Sequence, residues 1–197
     1  MNIFISWSGE RSLFVARALR DFVPAIIQRV SVIMSADDIK SGAKWMGEVF
    51  QAMDSAQVAI ICLTRDNVQS PWISFEAGAL VSRGPAVIPY LIDIPLVEIS
   101  GPLAAFQAVT ADRDGTFFLL NAINKRLEQP LKELLLQRVF DAFWPQLEQA
   151  LREIPESPRS DTIAQSKVPM RSERDLLEEI LMLIRADRTR HEPDKGT

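Results

Sequence analysis

The chain has 197 residues, 47% hydrophobic and 24% charged, which predicts one soluble domain with a sizeable core and a short appendage. The net charge is -4 and the basic residues are scattered, so the sequence indicates no nucleic-acid partner. No apolar run approaches the ~18 residues of a membrane-spanning helix, and the N-terminus turns polar too early for a signal peptide. We therefore expect a cytoplasmic protein with no membrane partner.

One cysteine and one histidine restrict the chemistry that this chain can perform. Cys62 lies in an apolar run, where a lone thiol fits a reducing compartment and is interpreted as a small core residue rather than a nucleophile. His191 lies in the polar C-terminal tail. The globular part is therefore expected to contain no Cys–His or Ser–His dyad and no histidine-rich metal site.

The first half of the chain alternates between strand and helix patterns. Apolar residues at helical spacing predict a helix over 10–22, which Pro24 bends or ends. Whether residues 25–29 add one more helical turn is left open by the sequence. A second helix is predicted from one apolar face made of Trp45, Val49, Phe50 and Met53. The other elements are strands at 2–6, 30–34 and 58–63, a turn-rich loop at 35–42, and a helix at 71–82.

The second half continues the alternation. A strand is predicted at 86–92, although its internal Pro89 disfavours a central place in a sheet. After a loop at 93–102 come a short fifth strand at 105–110 and helices at 115–128 and 131–153. Strands that are continuous apolar runs, alternating with helices, predict a parallel sheet covered by helices on both faces.

The C-terminal segment differs in composition from the rest. We predict a globular domain over 1–154, a proline-containing linker at 155–170, an amphipathic helix at 171–187 and a disordered tail at 188–197. The apolar stripe of the 171–187 helix is too short to indicate a coiled coil. Docking on its own domain and self-association both remain open for it.

The segment 70–80 carries the most specific pattern in the chain. It follows the buried strand 58–63 and a polar loop, and it places Glu76 near the start of an otherwise apolar helix. Trp72 lies four residues earlier and can project from the same helix face. An acid beside an aromatic residue, past the carboxyl end of a strand, lies where α/β sheets bind ligands. Alternatively, Glu76 is a surface acid stabilised by the helix dipole, and Trp72 and Trp45 are core residues.

Several segments, taken in order, resemble those of the TIR (Toll/interleukin-1 receptor) domain family in its bacterial branch. They are the opening Ile-Phe-Ile-Ser-Trp-Ser at 3–8, the loop at 35–45, which is similar to the family's BB loop, and the runs 61–64 and 70–80. The resemblance covers roughly residues 1–150. It implies a flavodoxin-like α/β fold, with a central parallel five-stranded sheet and helices on both faces.

The resemblance also implies an activity. Many bacterial TIR domains cleave NAD+ into nicotinamide and ADP-ribose or a cyclic variant, and many act in antiphage defence. By the match of motifs, Glu76 is the catalytic residue and NAD+ is a substrate, so no cofactor is expected. The residues that are expected to contact NAD+ under this resemblance are Phe4, Ser6, Trp7, Ser8, Arg11, Asp38, Lys44, Trp45 and Trp72.

The implied partners are NAD+, a second copy bound through the TIR domain and the BB-like loop 36–44, and a separate effector or activator protein. From the residues alone, Arg11 is also readable as a solvated helix charge, and Asp38 as part of a solvated turn. The sequence does not distinguish a hydrolase from a cyclase.

A single carboxylate is sufficient for this reaction because nicotinamide leaves as a neutral molecule and needs no general acid. The carboxylate stabilises the oxocarbenium-like ribose by its charge and by hydrogen bonds. The main alternative is a TIR scaffold without enzymatic activity, which acts by binding other TIR domains. A response-regulator receiver is excluded, because Ser6-Trp7-Ser8-Gly9 and Leu63-Thr64-Arg65 stand where its acidic residues are required.

Overall fold

The computed structural model describes residues 1–34, 45–99 and 101–156. Contacts divide the chain into one unit of residues 1–157 and another of 158–197, of which the second is not described. The BB-like loop 36–44, the predicted 171–187 helix, the tail and most of the linker therefore lie outside the described residues. No helix within the described ranges is long and apolar enough to cross a membrane.

Strands and helices alternate along the described chain, as the sequence predicts. The strands are β1 (Asn2–Ser6), β2 (Ser31–Met34), β3 (Val58–Leu63), β4 (Ala86–Leu91) and β5 (Val109–Thr110). The helices are α1 (Glu10–Ile26), α2 (Trp45–Ser55), α3 (Pro71–Arg83), α4 (Arg113–Asn124) and α5 (Glu133–Arg152), with 3-10 turns at Leu96–Glu98 and Gly101–Ala105.

The five strands form one parallel sheet in the order β2-β1-β3-β4-β5, which confirms the predicted flavodoxin-like α/β fold. The strand order reverses between β1 and β3, so the helices that follow these two neighbouring strands, α1 and α3, lie on opposite faces of the sheet. In open α/β sheets, ligands bind outside the carboxyl ends of the strands at such a reversal.

Two apolar cores cover the two faces of the sheet, and alternate residues of β1 enter each of them. Ile3 and Ile5 pack with α1, α4 and α5, whereas Phe4 packs with α2 and α3. Every residue of β3 is buried, because helices cover this central strand on both sides.

Tertiary packing moved several predicted boundaries. α1 continues past Pro24 to Ile26, since Val23 and Ile26 are both buried against the sheet. β5 has only two residues, and a 3-10 turn occupies part of the segment predicted as a strand. α4 begins earlier than predicted because the Asp112 carboxylate caps it, accepting a hydrogen bond from the Gly115 N–H at 2.8 Å.

Pro89 occupies an internal position of β4 without breaking its pairing to β3. The N–H groups of Ala86 and Ile92 both donate to the β3 side, at 3.1 and 2.7 Å. Backbone groups alternate along a strand, so residue 89 faces the opposite edge. β5 begins opposite Tyr90, so the missing N–H of Pro89 falls where the β4–β5 ladder has not started.

Gly115 is required by the close approach of α4 to β5. A Cβ at this position would lie 2.8 Å from the Thr110 nitrogen and closer still to the Thr110 carbonyl oxygen. Both atoms belong to the backbone of a paired strand, so neither can turn aside as a flexible side chain can.

We therefore expect Gly115→Ala to lower the free energy of unfolding by about 1–3 kcal/mol, the usual cost of overpacking. The matched control is Gly78→Ala in α3, where nothing lies within 4 Å of the added Cβ. That substitution is expected to stabilise the helix by roughly 0.5–1 kcal/mol. Urea unfolding of the two variants measures both values, and equal midpoints would contradict the close approach.

Candidate active site

A buried carboxylate lies at the carboxyl end of β1. Glu76, in the second turn of α3, has a solvent exposure of 0%, and so does Ser6, the last residue of β1. The Ser6 hydroxyl donates a hydrogen bond to Oε2 of Glu76. The interpretation of Glu76 as a surface acid is therefore wrong.

The sequence of α3 explains why Glu76 faces the sheet. Pro71 begins the helix, and Ile73, Ala77 and Leu80 form the face that is buried on the sheet. Glu76 lies three residues after Ile73 and therefore shares this face. Glutamate is almost never fully buried unless it is paired, because an unpaired buried charge is costly. The hydrogen bond from Ser6 supplies one such pairing.

Asn67 connects the two loops beside this pair, a role that the sequence does not predict. Its Nδ2 donates to the Ser8 carbonyl at 2.9 Å and to the Cys62 carbonyl at 3.0 Å, and its Oδ1 accepts from the Thr64 N–H at 2.8 Å. The only signal in the sequence was an asparagine in the polar loop after a buried strand. Such a loop residue has many possible partners, so the pattern alone could not single it out.

The alternation of side chains along β1 separates the predicted NAD+-contacting residues. Ser6 reaches Glu76, and Phe4 lies on the same face but is fully buried in the core formed with α2 and α3. Trp7 packs on the opposite face with α1, α4 and α5. Its Nε1 is buried and has no hydrogen-bond partner among the described residues. The structure therefore does not bring Trp7 to Glu76.

Ser8 contributes backbone groups to the loop after β1. Its N–H donates to the Ser12 hydroxyl at 3.0 Å, and its carbonyl accepts from that hydroxyl at 2.7 Å. Gly9 follows with φ of 88° and ψ of 162°, a conformation that favours glycine. This loop is therefore fixed by local hydrogen bonds as well as by Asn67.

Arg11 is engaged by neighbouring loops. Its guanidinium forms ion pairs with Asp93 at 2.7 Å and Asp66 at 3.1 Å, and its Nε donates to the Pro155 carbonyl at 2.8 Å. Burial works against its charge, but the two carboxylates outweigh that effect, so the pKa of Arg11 is raised. The side chain is 13% exposed, so the interpretation as a solvated helix charge is wrong. Its contact with a phosphate of NAD+ stays a prediction.

The other predicted contact residues are not located by the structure. Asp38 and Lys44 lie outside the described residues. Trp45 begins α2 and Trp72 lies one turn before Glu76 in α3, but their side chains are likewise outside the described part. The predictions that these residues contact NAD+ remain predictions, as do the core interpretations of the two tryptophans.

Cys62 is a core residue, as interpreted from the sequence. It is fully buried, and burial raises the pKa of its thiol far above the ordinary value. The thiol therefore stays protonated and is a poor nucleophile. Within residues 1–34, 45–99 and 101–156, no group of three or more His, Cys, Asp or Glu side chains is placed to hold a metal ion.

A cavity of about 440 Å³ lies at the same edge of the sheet, at the carboxyl ends of β4 and β5. Arg11, Asp93 and Asp112 form its polar part, and neither Ser6 nor Glu76 lines it. Its charged groups already have partners: Arg11 pairs with Asp93, and Asp112 caps α4. This cavity is therefore separate from the Ser6–Glu76 pair.

Comparison with known proteins identifies the family of this chain. Residues 3–135 match the family model of the TIR domain. One matching solved structure is the "Structure of the activated Roq1 resistosome directly recognizing the pathogen effector XopQ (TIR domains)", 18% identical over 93% of this chain and 98% of that chain, with a TM-score of 0.41. No match was found among curated proteins. Because the TIR domain model spans well over half of the chain and includes the sheet and Glu76, this protein belongs to the TIR domain family.

Proposed function

We propose that this TIR domain cleaves the N-glycosidic bond between nicotinamide and ribose in NAD+, with Glu76 as the catalytic residue. The observation that carries the proposal is the fully buried Glu76 carboxylate, which accepts a hydrogen bond from the Ser6 hydroxyl at the point where the strand order reverses. The products are nicotinamide and ADP-ribose or a cyclic variant of it. We further propose that the reaction serves antiphage defence signalling.

The chemistry requires little more than a positioned negative charge. The bond from the nicotinamide nitrogen to C1′ of the ribose breaks with its electron pair leaving on nicotinamide, which becomes neutral. The positive charge left on the ribose is stabilised by the Glu76 carboxylate, and more strongly in a site that excludes water. Attack at C1′ by water, with loss of a proton, gives ADP-ribose. Attack by a nucleophile of the same molecule gives a cyclic product.

The burial of Glu76 implies a conformational requirement. With no exposed surface, the carboxylate can contact a substrate only after neighbouring groups move aside. We therefore propose that activity depends on assembly with a second copy through the BB-like loop 36–44, or on a separate activator or effector protein. Activity of the dilute protein is expected to be low and to rise with concentration.

A non-enzymatic scaffold is the second candidate, and one observation favours it. The same complete burial and the same Ser6 contact would serve a purely structural buried polar pair. In that case the protein would act by binding other TIR domains, and the charge of Glu76 would be dispensable.

We expect Glu76→Gln to reduce nicotinamide release at least 10²-fold, the usual loss when one electrostatic contact to a transition state is removed. Glutamine keeps the shape and can still accept the Ser6 hydrogen bond, so the fold should persist. The measurement is chromatography of NAD+ incubated with concentrated protein. Glu128→Gln, which removes an exposed acid far from the site, is the matched control and should retain turnover. Equal turnover in both variants would exclude Glu76 as the catalytic residue.

We expect Ser6→Ala to lower the free energy of unfolding by about 1–3 kcal/mol, because it removes a donor from a buried carboxylate. The loss should be smaller in a Glu76→Gln background, since a neutral amide needs the donor less than a carboxylate does. A double-mutant cycle by urea unfolding measures this coupling, expected at about 0.5–3 kcal/mol. Additive effects would show that the charge of Glu76 does not strengthen its hydrogen bond with Ser6.

A further inference from the structure

Asn67 is buried where two loops meet beside the Ser6–Glu76 pair. We call the loop after β1 (7–9) and the loop before α3 (64–70) the two site loops. Asn67 belongs to the second and is 2% exposed. Through the Ser8 carbonyl it holds the first loop across a separation of 59 residues in sequence.

The hydrogen bonds of Asn67 require an uncharged amide. Its Nδ2 uses both of its protons, on the Ser8 and Cys62 carbonyls, and its Oδ1 accepts from the Thr64 N–H. An aspartate of the same shape could still accept from Thr64. It would, however, place a negatively charged oxygen against the two carbonyl oxygens that had each accepted a hydrogen bond from Asn67.

The first site loop is held at Ser8 by two side chains. The Ser8 carbonyl accepts from Asn67 on one side and from the Ser12 hydroxyl on the other, at 2.9 and 2.7 Å. Ser6 lies two residues before this anchor and is paired with Ile61 of β3. The position of the Ser6 hydroxyl is therefore fixed by the sheet and by Asn67 together.

In the second site loop, backbone hydrogen bonds connect Asn67 to the start of α3. The Asn67 carbonyl accepts from the Ser70 N–H at 2.9 Å, and the Ser70 carbonyl accepts from the Ser74 N–H at 3.1 Å. This chain of bonds leads into the first turn of α3, directly before the turn that contains Glu76. A displacement of Asn67 would thus disturb the segments that carry both partners of the buried pair.

We propose that Asn67 is a positioning residue that sets the alignment of Ser6 with Glu76, an inference that rests on the proposed function. Asn67 is not a catalytic residue, because its side-chain groups are all bonded to the protein and it is almost fully buried. It acts through the two site loops, by holding the carboxylate where charge develops on the ribose.

Asn124 provides a matched control for the test. It is 4% exposed, and its amide likewise bonds to backbone groups, donating to the Leu131 carbonyl at 2.9 Å and accepting from the Leu131 N–H at 2.8 Å. It ends α4, which starts at the carboxyl edge of the sheet and runs back toward the opposite edge. Substituting it disturbs a similar buried amide without touching the two site loops.

The experiment compares Asn67→Asp and Asn67→Ala with Asn124→Asp and Asn124→Ala, each assayed well below its own unfolding midpoint. We expect all four variants to lose stability. Only the Asn67 variants should lose kcat, by about 10²-fold, with KM for NAD+ changed less than about 3-fold, because misplacement by about 1 Å costs that much in rate. Retention of kcat by folded Asn67 variants, or an equal loss in the Asn124 variants, overturns the proposal.

A second readout does not depend on NAD+. The coupling between Ser6→Ala and Glu76→Gln in urea unfolding is measured again in the Asn67→Ala background and in the Asn124→Ala background. We expect the coupling to fall by more than half in the first and to persist in the second. An unchanged coupling in the Asn67→Ala background overturns the positioning role. Absence of NAD+ cleavage under every condition would overturn the proposed function alone.

Discussion

The parallel pairing of β1 with β3 is the constraint on which the site depends. These strands are adjacent in the sheet although α1, β2 and α2 separate them along the chain. Both are buried, so their backbone groups must pair with each other and the register cannot slip. The pairing brings the two loops that follow these strands together at one edge. Ser6 and Glu76, 70 residues apart in sequence, then meet across it.

The buried carboxylate is the feature that core packing alone does not explain. Ile73, Ala77 and Leu80 give α3 an apolar face, and an apolar residue in place of Glu76 would continue it. Proteins tend to depart from such local consistency at functional sites. One polar partner of Glu76 is the hydroxyl of Ser6, a short side chain at the end of β1.

A second group of charged side chains lies at the same edge of the sheet, beside the loops that follow β3 and β4. Asp93 has a φ of 58°, in the left-handed region that aspartate tolerates better than most residues. It pairs with Arg11 and accepts from the Arg65 N–H and Nε at 3.3 and 2.9 Å. These contacts tie α1 to the loops after β3 and β4.

The sequence by itself determined the succession of strands and helices along the chain, the bounds of β1 to β4 to within one residue, the parallel sheet, and the place of Glu76 in α3, because hydrophobic periodicity is local. Only the tertiary structure decided that Arg11 reaches Pro155 at a separation of 144 residues and that Asn67 joins the two site loops. Each of these depends on which strands become neighbours. Strand order arises from long-range packing and leaves no periodic signal in the sequence.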